Sequence, residues 1–379
     1  MNIELPISPD YVKSWTFAHA IRELLQNAID QEVTSPDNTM TVTYDPEAQV
    51  LRIANKSSAL DRSSLLLGVT TKTGDQRTIG QFGEGYKLAL LVLTRLNHAV
   101  RILNYKSKES WIPRFVHSAK LGATVLTIQI VKYRFTKVPD HDLTFEVYGV
   151  HPDQWLMIQA NTLHLQNQLQ HKLVTSQGAI LTGHDQRGRI YVNGLYVTTN
   201  KDLHFGYNFK PQHIDLDRDR TMVRDFDVQW ATSYMWAELA KDHHDMVMIL
   251  LERDAPDIKY VENVSRTSLK DQAEMNFVSR HGTNAVPIVN EDSRQSWAKH
   301  DGVKTVIVPT PYYALITGSS HYAHRAVSLT KSTQLVMAPQ DYLNDFWSQM
   351  EFRGKDTICD DTKTDWASLI ERSKDWKAS

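Results

Sequence analysis

Glu23, Asn27 and Asp30 stand at i, i+4 and i+7 within Ile21-Arg22-Glu23-Leu24-Leu25-Gln26-Asn27-Ala28-Ile29-Asp30. At 3.6 residues per turn those offsets bring two carboxylates and an amide within roughly 60° of one another on a helix. A stripe of hard oxygens suits Mg²⁺ and the activation of a water molecule. Leu24, Leu25, Ala28 and Ile29 supply the apolar side that such a helix needs to dock on a sheet. A second segment, Ile79-Gly80-Gln81-Phe82-Gly83-Glu84-Gly85-Tyr86-Lys87, packs its glycines together and then turns into an apolar helix. Glycines there let backbone approach phosphates closely and aim N–H groups at them. Taken singly, a polar stripe is most often a solvated helix face, and a glycine loop is most often a tight turn.

In this order and spacing the two segments resemble the N-box and the second glycine box of the GHKL ATPases. That superfamily includes gyrase B, MutL, the histidine kinases, MORC proteins and the ninety-kilodalton heat-shock chaperone. The run Ile-Gly-Gln-Phe-Gly-x-Gly is closest to the chaperone's. The resemblance implies ATP and Mg²⁺ as cofactors, with Asn27 ligating the ion through its amide oxygen and Asp30 beside it on the nucleotide side. It implies Glu23 as general base on the attacking water. Gly80, Gln81, Phe82, Gly83, Gly85 and Tyr86 would form the phosphate-holding loop and the start of its helix. Lys87 lies in the first turn of that helix, where a cation opposes the dipole unless an anion is bound, so a phosphate contact is expected of it.

Three further places carry expectations from the same resemblance. After the second strand the superfamily places Asp-x-Gly-x-Gly, whose aspartate accepts from the adenine amino group. Here the stretch is Asn55-Lys56-Ser57-Ser58-Ala59. Asn55 can offer an amide oxygen to adenine, or its NH₂ to a carbonyl such as guanine O6. The run from Gly68 to Thr78 corresponds to the lid, from which Lys72 and Arg77 could reach phosphates. Gly122-Ala123-Thr124 lies where chaperone-like members hold the base, which makes Thr124 a candidate. Beyond the nucleotide domain, His213-Ile214-Asp215-Leu216-Asp217-Arg218-Asp219-Arg220 stands where a transducer domain returns a basic side chain to the terminal phosphate. Arg218 or Arg220 would fill that role, the alternative being a local Asp–Arg ladder.

The elements that position these groups follow from periodicity. Ser8-Pro9-Asp10 reads as a helix start, with helical pattern through Val12, Trp15 and Ala18 into the Glu23 segment. Strands are expected at 41–44, 50–54, 100–104, 111–116 and 125–131, forming an antiparallel sheet covered by two helices. The pattern then changes to a helix from Pro152, a strand at 179–182 and a hairpin about Asn193-Gly194. A β-α-β pattern spans 285–308, and the tail from Asp341 reads as amphipathic helix. Asp242-His243-His244-Asp245 reads as a solvated helix end rather than a metal site, because adjacent histidines on a helix diverge. The expected fold is α+β: a GHKL two-layer sandwich over 1–138, a transducer-like α/β domain over 139–262, and a small α/β subdomain with a helical tail over 263–379.

At 379 residues the chain has room for two or three cores. A formal charge of −2 supplies no global drive toward nucleic acid or anionic membrane. One cysteine, Cys359, rules out an intrachain disulfide and fits a reducing compartment. With no signal-like N-terminus and no long apolar run, a cytoplasmic location without a membrane partner is expected. The functional expectation is a slow Mg²⁺-dependent ATPase that uses nucleotide state to switch domain or dimer conformation. Its expected partners are a second copy of the chain and a protein or DNA client. The alternatives are a nucleotide-binding interaction module without turnover and, less favoured, a histidine kinase. The kinase reading lacks room for a phosphoacceptor helix ahead of Glu23.

Overall fold

The computed structural model describes residues 1–66, 84–166, 171–215, 224–265, 267–297, 302–331, 343, 347 and 360–372. Two helices buried on nearly every side organise the first part of the chain. Helix α1 (Phe17–Thr34) buries Phe17, Ala20, Ile21, Leu24, Leu25, Ala28 and Ile29, and with them Glu23, Gln26 and Asp30. Helix α2 (Gly85–Arg95) is buried at every position from Tyr86 to Leu93. A helix that is apolar or paired all round must sit inside a core, and these two pack on each other and on one sheet.

That sheet has seven antiparallel strands: β1 (Asn2–Leu5), β2 (Met40–Asp45), β3 (Val50–Asn55), β4 (Val100–Asn104), β5 (Glu109–Ser118), β6 (Ala123–Lys132) and β7 (Leu143–Tyr148). Their spatial order is β1-β6-β5-β4-β7-β3-β2. The α+β organisation expected from sequence is present, with two corrections to its limits. β7 lies between β3 and β4 at the heart of the sheet, so the first layer runs past residue 138 to Tyr148. Residues 9–15 do not form the expected helix. The Arg95 guanidinium gathers the carbonyls of Pro9, Tyr11, Val12 and Trp15 at 3.0–3.2 Å. Drawing these carbonyls to one guanidinium holds the segment in turns, with Val12 at a φ of 47°.

A second module follows within the same compact unit, which comprises Met1–Leu239 and Ala255–Val261. It contains α3 (Pro152–Ala160), β8 (Lys172–Thr175), β9 (Gly178–Leu181), β10 (Arg189–Val192), β11 (Leu195–Thr199), β12 (Gly206–Phe209) and α4 (Asp225–Leu239). The strand order is β11-β10-β12-β9-β8, with β10 and β12 parallel. The Asn193-Gly194 turn between β10 and β11 takes φ of 48° and 80°, the left-handed pair that a two-residue hairpin requires. Fully buried Asp257 accepts from the backbone N–H groups of His204 (2.9 Å) and Phe205 (3.2 Å) and from the Tyr207 hydroxyl (2.5 Å).

The other compact unit comprises Ala240–Asp254 and Glu262–Ser379. It holds α5 (His244–Glu252), most of the one-turn α6 (Val261–Val264), α7 (Thr267–His281), β13 (Ala285–Ile288), β14 (Lys304–Ile307), α8 (Thr310–Thr317), α9 (Ser320–Lys331) and a helix over Asp360–Arg372. β13 and β14 pair in parallel, as a β-α-β pattern requires, and among the described residues between them a 3₁₀ turn covers Asp292–Ser296. Within this unit Arg325 meets Glu274 at 2.7 Å. His244 meets its neighbour Asp245 at 2.9 Å on an exposed helix start. Among the described residues no cluster of three His, Cys, Asp or Glu side chains suits a metal ion, and no helix is long and apolar enough to cross a membrane.

On the first sheet's face opposite the helices, Glu146 of β7 lies between Arg52 of β3 and Arg101 of β4. Its carboxylate takes hydrogen bonds from Arg52 Nε (3.1 Å), Arg101 Nε (2.8 Å) and the Tyr148 hydroxyl (2.8 Å). Burial works to raise its pKa, but the three donors and the arginine charge outweigh it and hold the carboxyl below its ordinary range. A lowered folded pKa means the stabilisation is present above the unfolded carboxyl value and is lost as pH falls through the folded one. We expect Glu146→Gln to lose about 1–3 kcal/mol near neutral pH, because two guanidinium groups lose a charged acceptor. The difference from the parent should shrink on acidification, as measured by urea melts across the acid range.

Candidate functional site

The site is built where α1, the start of α2 and the end of β3 meet. Glu23 is only 7% exposed, and its carboxylate presses on the first residue of α2. A methyl placed on Gly85 would lie 2.0 Å from Glu23 Oε2 and 3.7 Å from Asn27 Nδ2. Only glycine leaves room for that approach. The first turn of α2 also presents backbone N–H groups and the positive end of the dipole, both favourable to a carboxylate or a phosphate. Asn27 donates its NH₂ to the Glu23 carbonyl oxygen at 2.8 Å, which orients the amide along its own helix. Asp30, one turn further, is fully buried. Glu23, Asn27 and Gly85 are thus brought together as the spacing implied.

Asn55 lies at the end of β3 on the helix-covered face. Its NH₂ donates to two backbone carbonyls, Ala28 of α1 at 3.0 Å and Asn38 at 3.3 Å. Both protons are therefore used inside the fold, and the guanine-facing donor considered from sequence is already committed. Asn38 is the partner that sequence reasoning missed. Its Oδ1 accepts from the Ser57 N–H (3.0 Å), and its Nδ2 donates to the Ser58 hydroxyl (2.7 Å). A loop asparagine two residues after a proline carried no signal beyond "turn", so nothing in the sequence marked it as this hub.

The start of α2 has a second task. The Tyr86 hydroxyl donates to the Ser64 carbonyl at 2.8 Å, and burial pushes that phenol up to about 12, against the Ser64 side-chain hydrogen bond. Lys87 is fully buried, with Nζ donating to the Leu66 carbonyl. Burial pulls this ammonium below the usual lysine range, and the charge of Glu84 partly opposes that. The phosphate contact expected of Lys87 is thus replaced here by a tie to the 62–66 segment. Tyr86 serves the same segment.

Thr124 does not join the site. It is exposed on β6, opposite His117, and β5, β4 and β7 stand between it and β3. At the usual strand spacing that is roughly 19 Å. In the Asn55 row the register instead places Leu143, Asn104 and Glu109. Asn104 donates to the Leu60 carbonyl at 2.7 Å, and Glu109 accepts from Trp111 Nε1 at 2.9 Å and from Arg62. Burial raises the Glu109 pKa, but the donors Trp111, Arg62 and Ser107 and the Arg62 charge bring it below the ordinary value. The signal for Glu109 was a charged residue two places before a tryptophan on the same strand face. Lys72, Gly80, Gln81, Phe82 and Gly83, and likewise Arg218 and Arg220, lie outside the described residues.

The profile of a domain family described as the Mycoplasma pneumoniae MPN635 N-terminal domain matches residues 157–235, which is the second module. An uncharacterized protein of Mycoplasma pneumoniae is 25% identical over 221 residues, covering 56% of this chain and 87% of that protein. Among solved structures, the ATPase region of Saccharomyces cerevisiae topoisomerase II is similar at 13% identity and a TM-score of 0.33, over 48% of this chain and 62% of that one. This chain therefore spans less than two thirds of the yeast structure. The ATPase and transducer domains of Balamuthia mandrillaris topoisomerase II are similar at 11% identity and a TM-score of 0.33, over 64% of this chain and 69% of that one. Likeness at this level assigns neither activity nor site residues.

Two substitutions test the site's construction. Gly85→Ala places a methyl where the Glu23 carboxylate lies, and the mobile end of that side chain must move aside. Because alanine favours the helix by up to about 1 kcal/mol, the melting midpoint should hold or rise while any Glu23-dependent turnover of ATP falls. Asn55→Asp sets a carboxylate against the Ala28 and Asn38 carbonyl oxygens and removes both their donors. We expect it to cost at least about 2 kcal/mol in a denaturant melt.

Proposed function

We propose that this chain is a GHKL-type ATPase that binds ATP with Mg²⁺, hydrolyses it slowly and couples nucleotide state to a change in domain or dimer conformation. The observation that carries the reading is the meeting of the Glu23 carboxylate and the Asn27 amide of α1 with Gly85 at the first turn of α2. A general base, a hard-oxygen ligand and a phosphate-favouring helix start are the three parts that such hydrolysis needs.

The residues fit the ion. The Asn27 NH₂ donates to the Glu23 carbonyl, and its amide oxygen is the atom that would ligate the ion. Magnesium commonly keeps waters and phosphate oxygens alongside one or two protein oxygens, so a three-residue protein cluster is not required. When bound, the ion would neutralise charge on the phosphates. Glu23, held by its buried surroundings, would then take the proton of the attacking water. Asn55, whose N–H groups are engaged, presents only an acceptor to a base, which favours the adenine amino group over guanine O6. Arg218 or Arg220 remains our proposal for the γ-phosphate contact, and Gly80 to Gly83 with Lys72 for the phosphate-holding loop and lid. The client and the dimer belong to this proposal too.

The test is calorimetric titration of the full chain with a non-hydrolysable ATP analogue and Mg²⁺, with GTP in parallel, and phosphate release from the parent and Glu23→Gln. We expect the ATP analogue to bind and GTP to bind more weakly. Loss of the base should cost on the order of 10²- to 10⁴-fold in turnover with binding retained. Binding without turnover in the parent would favour the interaction module. Absence of any nucleotide binding would overturn the reading.

A further inference from the structure

Helix α1 carries a second feature on the side away from Glu23. Ala18, Ile21, Arg22 and Leu25 line a pocket of about 200 Å³, closed from the other side by α3 and β11. On a helical wheel Ala18, Arg22 and Leu25 fall roughly 140° around the helix from Glu23, Asn27 and Asp30. The facing wall includes Met157, Ile158, Leu195 and Val197, so most of the lining is aliphatic.

The polar side chains of the lining largely have partners already. Asn161 Oδ1 accepts from Arg189 Nη2 at 2.9 Å, the Tyr196 hydroxyl meets Thr199 Oγ1 at 2.9 Å, and His19 Nδ1 accepts from the Thr16 N–H at 3.1 Å. Protein interiors seldom keep voids larger than a water molecule. An apolar cavity of about 150 Å³ stays dry and takes up benzene. This pocket is larger, lined mainly by aliphatic side chains with Arg22 and His19 beside them, and partly open to solvent.

We propose that it is a ligand site for a small, neutral, aromatic or aliphatic molecule of about the size of indole. Its occupancy is coupled to the Glu23 side of the protein through the body of α1. The binding half of this proposal stands independently of the nucleotide reading, and only the coupling half rests on it. The physical basis of the coupling is that α1 is one rigid 18-residue helix with both sites on its surface. A molecule that wedges between α1 and β11 favours whichever α1 position gives it the better fit, and that position carries Glu23 and Asn27 with it.

The experiment uses the full chain labelled at Ile, Leu, Val and Met methyl groups, with indole as the probe. We expect saturable shifts concentrated on Ile21, Leu25, Met157, Ile158, Leu195 and Val197. Val197→Phe fills the space from β11, and Ala18→Leu fills it from α1 in case the first variant folds poorly. Either should weaken indole by at least about tenfold while the melting midpoint is kept. Shifts absent, spread through the whole core, or undiminished in a folded filled variant would overturn the site. For the coupling, saturating indole should change the affinity for the ATP analogue, and the analogue should change indole's affinity by the same factor. An analogue that binds with unaltered affinity would overturn the coupling, and an analogue that fails to bind at all would count against the nucleotide reading and not against the pocket.

Discussion

Helix α1 is buried or half-buried at every position from Phe17 to Val33, and that constraint sets the terms for everything near the site. Its sheet side holds Phe17, Leu24 and Ala28, while Glu23, Gln26 and Asp30 are also removed from solvent. A buried carboxylate is tolerated only where neighbours satisfy it, so these side chains constrain where the helix can sit. Gly85 meets it at Glu23, Asn55 binds its Ala28 carbonyl, and α3 with β11 close on its far side. A helix with one wet face can slide and re-solvate. This one can move only by repacking a neighbour.

The stretch Asn55 to Ala59 makes sense in the same terms. A carboxylate at position 55 would face the carbonyl oxygens of Ala28 and Asn38, whereas an amide donates to both. Asn38 in turn holds the Ser57 N–H and the Ser58 hydroxyl, so the strand end, the turn after it and the turn after α1 share one hydrogen-bonded network. An asparagine at 55 supplies two donors that an aspartate lacks, and Asn38 fixes the turn through the Ser57 backbone N–H and the Ser58 hydroxyl. An amide so anchored keeps its own oxygen in one direction.

Groups whose partners lie nearby in sequence, or whose faces follow a simple period, were legible in advance. The i, i+4, i+7 stripe of α1 and the alternation of β3, β4, β5 and β6 are of that kind. Long-range capture was not. Arg95 takes four carbonyls from residues some 80 positions earlier and so abolishes a helix that Ser8-Pro9-Asp10 had signalled. Lys87 was assigned to phosphate because a cation in a first turn lacks a local reason to be there, but its reason is a carbonyl 21 residues away. β7 alternates Leu143, Phe145 and Val147 with Thr144, Glu146 and Tyr148 as clearly as any strand here. The expected domain limit at residue 138 leaves it out, and only pairing with β3 and β4 shows that the chain re-enters the sheet.

The same packing bears on how a switch could be built into this chain. Coupling between sites is typically worth 1–3 kcal/mol and requires contacts that differ between two arrangements. On three sides α1 is held by contacts that any displacement would break: the sheet, the Asn55 amide and the start of α2. Loss of one buried hydrogen bond alone costs on the order of 1–3 kcal/mol, so displacement toward those sides is opposed. On the fourth side α3 and β11 face the helix across the pocket of about 200 Å³, where the packing is looser. A helix yields where it is least packed. The direction in which Glu23 can be moved is therefore set on the far side of α1, by whatever fills the space between it and β11.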